Sequence, residues 1–475
     1  MKRRAFITNA GKSVAAAAVL NHLPAFALGA MPSTVADNVV TYPNPPIPPA
    51  AEFVVLANDI PVYVCNAGTF RTSTFAFSGK VTIQVIYKGK IHSYAINPTS
   101  KGIKASQSGN TLTFTLLSPQ KLEIQINGAS SQITDNDKLL YLFADAIETD
   151  APAANDPDIY YVGPGHHTVP GNSIEFSPKD NYKGLYLAPG ALLEAVVSVS
   201  HKSNFKISGR GFIRNPFTDK SRSMLNVTNS TDVTIKDIHL YDSIQHVMGF
   251  GSGQDKKGHD ITVTNVKSMH YIVNSDGVTL FGPVSNVTID DCFIIGNDNL
   301  IVLGGAGGSE PLGPFNNTIR NCTFIKSSYA GNWFFPQGNS RPNSGGNIGP
   351  NNFIIDCDII RMNGERGLIT EWWGDPTAIE NVVLDNIRVQ SFRGYEPNPS
   401  KSSTNRLLCL LSTDKIHKKE LTLRNMRLPS AQTSEIADGL WVINFDHVFV
   451  NDKPVKSDAD LSLTKGKSVV TNYIY

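Results

Sequence analysis

Val287-Thr-Ile-Asp-Asp-Cys-Phe-Ile-Ile295, Asn317-Thr-Ile-Arg-Asn-Cys-Thr-Phe-Ile325 and Phe353-Ile-Ile-Asp-Cys-Asp-Ile-Ile-Arg361 are versions of one phrase. Each is an alternating strand, a polar turn and a second strand. FKISGRGFI, VTIKDIHLY, ITVTNVKSM, VVLDNIRVQ and LTLRNMRLP carry the same theme. Aligning the residue after the polar pair gives Arg210, Ile238, Val266, Cys292, Cys322, Cys357, Ile387 and Met426, at steps of 28, 28, 26, 30, 35, 30 and 39 residues. Repeats of this length mark a solenoid, in which each unit buries its apolar face only against a neighbour. With no helical periodicity between them, a right-handed parallel β-helix is expected over residues 159–470. A β-propeller is the competing architecture, but its blades are longer and carry other turn signals. Inward positions of such a coil stack, which predicts a buried, reduced ladder of Cys292, Cys322 and Cys357.

Upstream, residues 35–150 hold short strand-like runs (FVVLA, VTIQVIY, TLTFTLL, KLEIQIN) separated by turn residues, the pattern of an antiparallel β-sandwich. The chain is therefore expected to be all-β, with AIETDAPAANDPD (146–158) as a linker or crossing loop. Residues 1–30 have a basic start, an apolar stretch and a small-residue end, an export signal in which Arg3-Arg4 followed by Phe6 fits the twin-arginine type. A periplasmic or extracellular location follows, with no membrane span.

The whole sequence carries a formal charge of +1, four of its positive charges lying in that leader. No basic stripe suggests nucleic acid. None of the five cysteines forms a CxxC pair, and His246 and His270 lack partners at metal-ligand spacing, so neither a zinc site nor a disulfide framework is expected.

Within the predicted coil, Asn274-Ser-Asp-Gly277 precedes Gly296-Asn-Asp-Asn299. Counted from the ladder positions, Asp298 lies six residues on, Asn274, Glu365 and His246 eight, and Asp276 and Asn332 ten. Adjacent coils lie about 4.8 Å apart, so Asp276 and Asp298 on consecutive coils could meet. Two carboxylates beside a glycosidic bond divide acid and base roles. Asx-turn carboxylates beside Gly277 and Gly296 are the structural alternative.

The segment Asn274–Gly305 resembles the catalytic core of β-helix polysaccharide hydrolases: glycoside hydrolase family 28, the polygalacturonases, and family 49, the dextranases and isopullulanases. Both carry an Asp-Gly-type motif and, about twenty residues later, Gly-Asp-Asp before an apolar strand. Here the second motif is altered. One alignment matches Asp298-Asn299 to the pair, with Asp298 the proton donor and Asn299 a substituted base partner; the other matches Asn297-Asp298. The first keeps the apolar strand in step. A sandwich ahead of the helix, and Tyr160-Tyr-Val-Gly-Pro-Gly165 as an opening coil, are similar to family 49. The Gly-His-Gly and Arg-x-Lys motifs of polygalacturonases are missing, leaving Lys326, Arg361 and Arg366 as the basic residues near enough to meet a uronate.

The resemblance implies cofactor-free hydrolysis with inversion, Asp298 protonating the leaving oxygen and Asp276 helping to deprotonate water. Glu365 is a conceivable third member, or else an ion-pair partner of Arg366. Asn274, Asn299 and His246 would line the substrate groove. Trp333-Phe334-Phe335 and Trp372-Trp373 are candidate sugar platforms, with loop packing the alternative, and Glu371 a candidate acceptor of sugar hydroxyls. The expectation is an exported hydrolase of a neutral α-glucan. A polysaccharide lyase on the same fold and a non-catalytic glycan-binding solenoid are its alternatives.

Overall fold

The computed structural model describes residues 35–36, 38–128, 137–217, 223–252, 258–272, 274–304, 313–326, 331–337, 347–362, 367–371, 377–392, 406–430 and 433–475. The export leader, Glu365, Arg366, Trp372 and Trp373 lie outside them. Among the described residues the chain is all-β, with two short 3-10 turns, Thr99–Lys101 and Asp458–Leu461, as its only helical elements. No described helix is long and apolar enough to cross a membrane.

The second half winds into a parallel β-helix of triangular section. One face is a twelve-stranded sheet running from Ile159–Val162 to Val470–Ile474. The other two faces form a continuous twenty-one-stranded sheet. Phe293–Gly296 belongs to the second face and pairs in parallel with Lys267–Met269 and Thr323–Lys326. Ile301–Gly304 belongs to the third and pairs with Val278–Phe281 and Phe334–Gln337.

The corner between the first and second faces explains the repeated polar pair. Its turn is made by Asp237, Asn265, Asp291, Asn321, Asp356, Asn386 and Asn425, all left-handed, with φ from 52° to 71°. Asn and Asp tolerate that conformation because their short polar side chains bond locally. Neighbouring corners are tied as well: Asn265 Nδ2 donates to Asp237 Oδ1 at 2.7 Å, and Asn386 Nδ2 to Asp356 Oδ1 at 2.6 Å.

Behind the corner, Ile238, Val266, Cys292, Cys322, Cys357, Ile387 and Met426 stack inward with almost no exposure. All five cysteines are buried and outside any disulfide. The first rung differs from the expectation. His239 N–H bonds to the carbonyl of Gly211, the place that Ile238 and Val266 occupy for Lys267 and Phe293. Gly211 is thus the ladder residue, and Arg210 belongs to the corner before it.

Residues 35–146 form two sheets, one of seven strands and one of five. They are antiparallel throughout except that Leu139–Ala146 runs parallel to Phe70–Phe77. Residues 139–144 read as an unbroken apolar run because both faces of this strand are covered. Leu140, Leu142 and Ala144 enter the sandwich core, while Leu139, Tyr141 and Phe143 pack on Phe212, Tyr241, Met269, Phe293, Ile295, Ile325 and Ile360 of the solenoid's second face.

Buried charges stitch this junction. Lys267 Nζ lies 2.7 and 2.8 Å from the two oxygens of Asp145, and Arg210 Nη1 lies 3.3 Å from Asp145 and 3.1 Å from Asp237. Arg361 makes a two-pronged bond to Glu123. The connecting segment is pinned too, Asp150 accepting from Lys206 and Lys236 at 2.7 Å each. The sandwich therefore covers the second face, and at the corner where the second face meets the third Asn274, Asp298 and Asn299 are half-buried.

Candidate active site

That corner carries the acidic residues. Val247 N–H bonds to the Asp276 carbonyl, Gly277 N–H to that of Asn299, and Leu300 N–H to that of Asn332. These bonds place His246, Asp276, Asn299 and Asn332 in one register on four successive coils, two residues before the third face begins. Asp298 sits one residue earlier, beside Asp276.

The side chains connect as the backbone suggests. Asp276 Oδ2 lies 3.3 Å from His246 Nε2, and its Oδ1 accepts the Asn299 N–H at 3.1 Å. The Asn299 amide reaches both acids: Nδ2 is 3.5 Å from Asp276 Oδ1 and 3.1 Å from Asp298 Oδ1. The separation of those two oxygens therefore cannot exceed the sum of the two contacts. Asn299 Oδ1 in turn accepts from Asn332 N–H and Nδ2, both at 3.1 Å. Asp298 Oδ2 accepts the backbone N–H of Asn274, whose left-handed φ of 79° turns that N–H toward it.

Gly331 closes over Asp298, and its φ is +70°. A Cβ there would lie 2.3 Å from Asp298 Oδ1, so only glycine allows the backbone so close.

The two acids differ in environment. Asp276 is buried and Asp298 half-buried. Burial, reinforced by the charge of Asp298, holds the Asp276 carboxyl well above the ordinary carboxylate range. Burial also lowers the His246 imidazole, against the pull of Asp298, so it is neutral at pH 7. His246 stacks on Phe281, with ring centroids 6.5 Å apart and planes at 18°. Phe281 was not singled out in the sequence, and it is the aromatic ring packed against this cluster.

Asn297 and Asp298 are now distinguishable. The Asn297 amide is buried and donates to the Tyr271 carbonyl, while Asp298 touches the Asn299 amide that also meets Asp276.

Several sequence expectations are corrected. Trp333 is no sugar platform: it is fully buried, packed edge-on to Phe324, and occupies the inward position that Leu300 holds one coil earlier. Phe334 and Phe335 are buried beside it. Glu371 is also buried, its Oε2 accepting the Ser412 N–H at 2.7 Å, so it braces the next coil instead of facing a sugar. Arg361 is committed to Glu123, and Lys326 is fully buried, so neither reaches a uronate. His270 lies in the core, accepting the Ser243 N–H on Nδ1, with burial lowering its pKa to about 3.

No family model and no curated protein matches the sequence. Solved structures do. Dex49A from Penicillium minioluteum superposes over 92% of this chain and 99% of its own, with a TM-score of 0.54 at 13% identity. The chain has the Dex49A fold. Two further similar structures align less closely. The catalytic domain of a GH87 α-1,3-glucanase (D1069A) in complex with nigerose has a TM-score of 0.41 at 11% identity, over 89% of this chain and 86% of that one. The Yersinia enterocolitica family 28 exopolygalacturonase has 0.34 at 13%, over 82% and 96%.

Proposed function

We propose that the protein is a glycoside hydrolase that cleaves a polysaccharide by general acid/base catalysis, with Asp298 as acid and Asp276 as base. The observation that carries this reading is the pair itself: two carboxylates from consecutive coils held on one amide, one buried and one half-buried. The buried junction acids Asp145 and Glu123 are each matched to a cation, whereas these two repel.

Two close carboxylates share one proton, because both cannot ionise cheaply. In the free protein burial favours keeping it on Asp276. A sugar closing over Asp298 removes that group from water, which draws the proton to the residue facing the leaving oxygen. Asp276 is then ionised, stabilised by the Asn299 N–H and the His246 ring. Asp298 gives its proton to the glycosidic oxygen as the bond to the anomeric carbon breaks. Water adds to that carbon and loses its proton to Asp276.

Inversion is the favoured stereochemistry on accessibility. A retaining nucleophile must bond directly to the sugar, and Asp276 is buried with both oxygens engaged. Water can reach where that carboxylate cannot. A neutral α-glucan fits better than a uronate because both described cations near the site, Lys326 and Arg361, are buried. The same burial counts against a lyase, which needs a cation on the uronate. The twin-arginine-like opening supports action after export.

The test is to incubate the chain without its leader, beside Asp298→Asn, with neutral and uronic polysaccharides. Reducing ends formed by the first protein and lost in the variant are the expected result. Unsaturated products would replace this reading with a lyase. Intact binding with no product from any glycan would replace it with a binding solenoid. Proton NMR of the first anomer released decides inversion.

A further inference from the structure

Beneath the two carboxylates lies a group that the proposed reaction does not use. Lys326 ends the strand Thr323–Lys326, paired in register with Gly296 on the coil before. It is fully buried. Its Nζ donates to the Asn297 carbonyl at 3.0 Å, on the peptide that leads into Asp298. Burying an ammonium costs several kcal/mol unless charge and hydrogen bonds offset it. For Lys326 the acidic groups that act on its charge are Asp298 and Asp276 together.

We propose that Lys326 is a positioning residue of the site, anchoring the turn that carries Asp298 and supplying the buried positive charge beneath the Asp276–Asp298 pair. This rests on reading that pair as the acid and base. Two carboxylates with one shared proton carry a single negative charge, which one ammonium cancels. An amide at position 299 keeps that balance, since a third carboxylate there would leave the corner negative. The other titratable groups around it, among the described residues, do not disturb the count. His246 and His270 are neutral, and Arg361 on the following coil is taken by Glu123. Burial lowers Lys326 to about 7 against the pull of the two acids, so its charge is present below that pH and lost above it.

Lys326→Met removes the charge at similar volume. Carbon-13 titration of the aspartate carboxyls, assigned with Asp276→Asn and Asp298→Asn, needs no substrate. Loss of a buried opposite charge is expected to move ionisation of the pair up by about one pH unit or more. The pH profile of kcat should move upward with it and its maximum fall at least about tenfold, while KM changes little. A folded Lys326→Met protein whose pair titrates as before would overturn the proposal. Should that variant not fold, nitrogen-15 titration of Lys326 serves in the wild type and in the Asp276→Asn, Asp298→Asn double variant. Its pKa is expected to drop when the pair is neutralised, and no change would overturn the proposal. Wild-type protein that cleaves no glycan would remove the hydrolase reading, whereas these titrations would still decide the role of Lys326.

Discussion

The sandwich–solenoid junction and the corner carrying Asp276 both bury charge, but they balance it differently. At the junction each acid has its own cation: Asp145 with Lys267 and Arg210, Glu123 with Arg361. At the corner two acids face each other through an amide. Matched charges hold two domains in one geometry. Opposed acids destabilise the place they occupy and leave a proton ready to move, as perturbed groups at reactive sites do.

Substitutions should separate the two regions. The largest effect expected is on rate: Asp298→Asn lowers kcat by about 10²–10⁴-fold, the worth of a positioned acid, with the thermal midpoint unchanged or raised. Steady-state assays beside a melting curve check it.

Breaking a matched pair does the reverse. Arg361→Met strands Glu123 and should cost about 3–5 kcal/mol of stability, read by urea unfolding, with kcat per folded molecule close to wild type. If Arg361→Met instead abolished activity in a stable protein, the division between the two regions would fail.

Next comes Gly331→Ala, where a methyl meets Asp298 and the left-handed backbone is strained. Such strain costs about 1–3 kcal/mol, and activity should fall further than that stability loss explains.

The smallest effect is one of sign in the pH dependence of stability. Burial pushes Asp145 up, but Lys267 and Arg210 outweigh it and hold the group below its ordinary value. Its contribution is complete above the unfolded carboxylate pKa of 3.8 and is lost as pH falls toward the folded one. Asp276 is raised, so between 3.8 and its folded value the native chain holds a proton that the unfolded chain has released. Its contribution therefore grows as pH falls. Urea melts between pH 3 and 7 should show Asp145→Asn flattening the acid loss and Asp276→Asn removing the opposing gain.

The fold was legible because its signal is repeated. One left-handed Asn or Asp per coil, followed by one small or aliphatic inward residue, recurs often enough to survive variation in between. The first rung was misread by one residue because Gly209-Arg-Gly211 replaces that phrase, and there the turn falls on Arg210.

The site was legible in part. Asp276 and Asn332 share an offset in the sequence and share a register in the structure. His246 and Asn299 join that register from different offsets, because the stretch between the second and third faces varies in length from coil to coil. Fixed counting cannot follow it; aligning the next inward residues, Val247, Gly277, Leu300 and Trp333, does. That alignment would also have shown Trp333 to be core, since an aromatic at the head of a strand was mistaken for a loop platform. Lys326 was legible only as a basic residue near the site and not as a buried one, because a lysine closing an apolar strand reads as surface until the coil folds its side chain under the next turn.

The single-residue left-handed corner has a consequence for how such a molecule can diversify. From Asp237 to Asn425 that edge keeps one left-handed residue per coil, and only the first coil takes an extra one there, Arg210 before Gly211. Between Ile238 and Met426 the variation in coil length, from 26 to 39 residues along the aligned ladder, therefore falls on the other two edges, one of which holds the acidic corner. The frame thus confines evolutionary novelty to the neighbourhood of the groove, and new specificities can be tried without renegotiating the core.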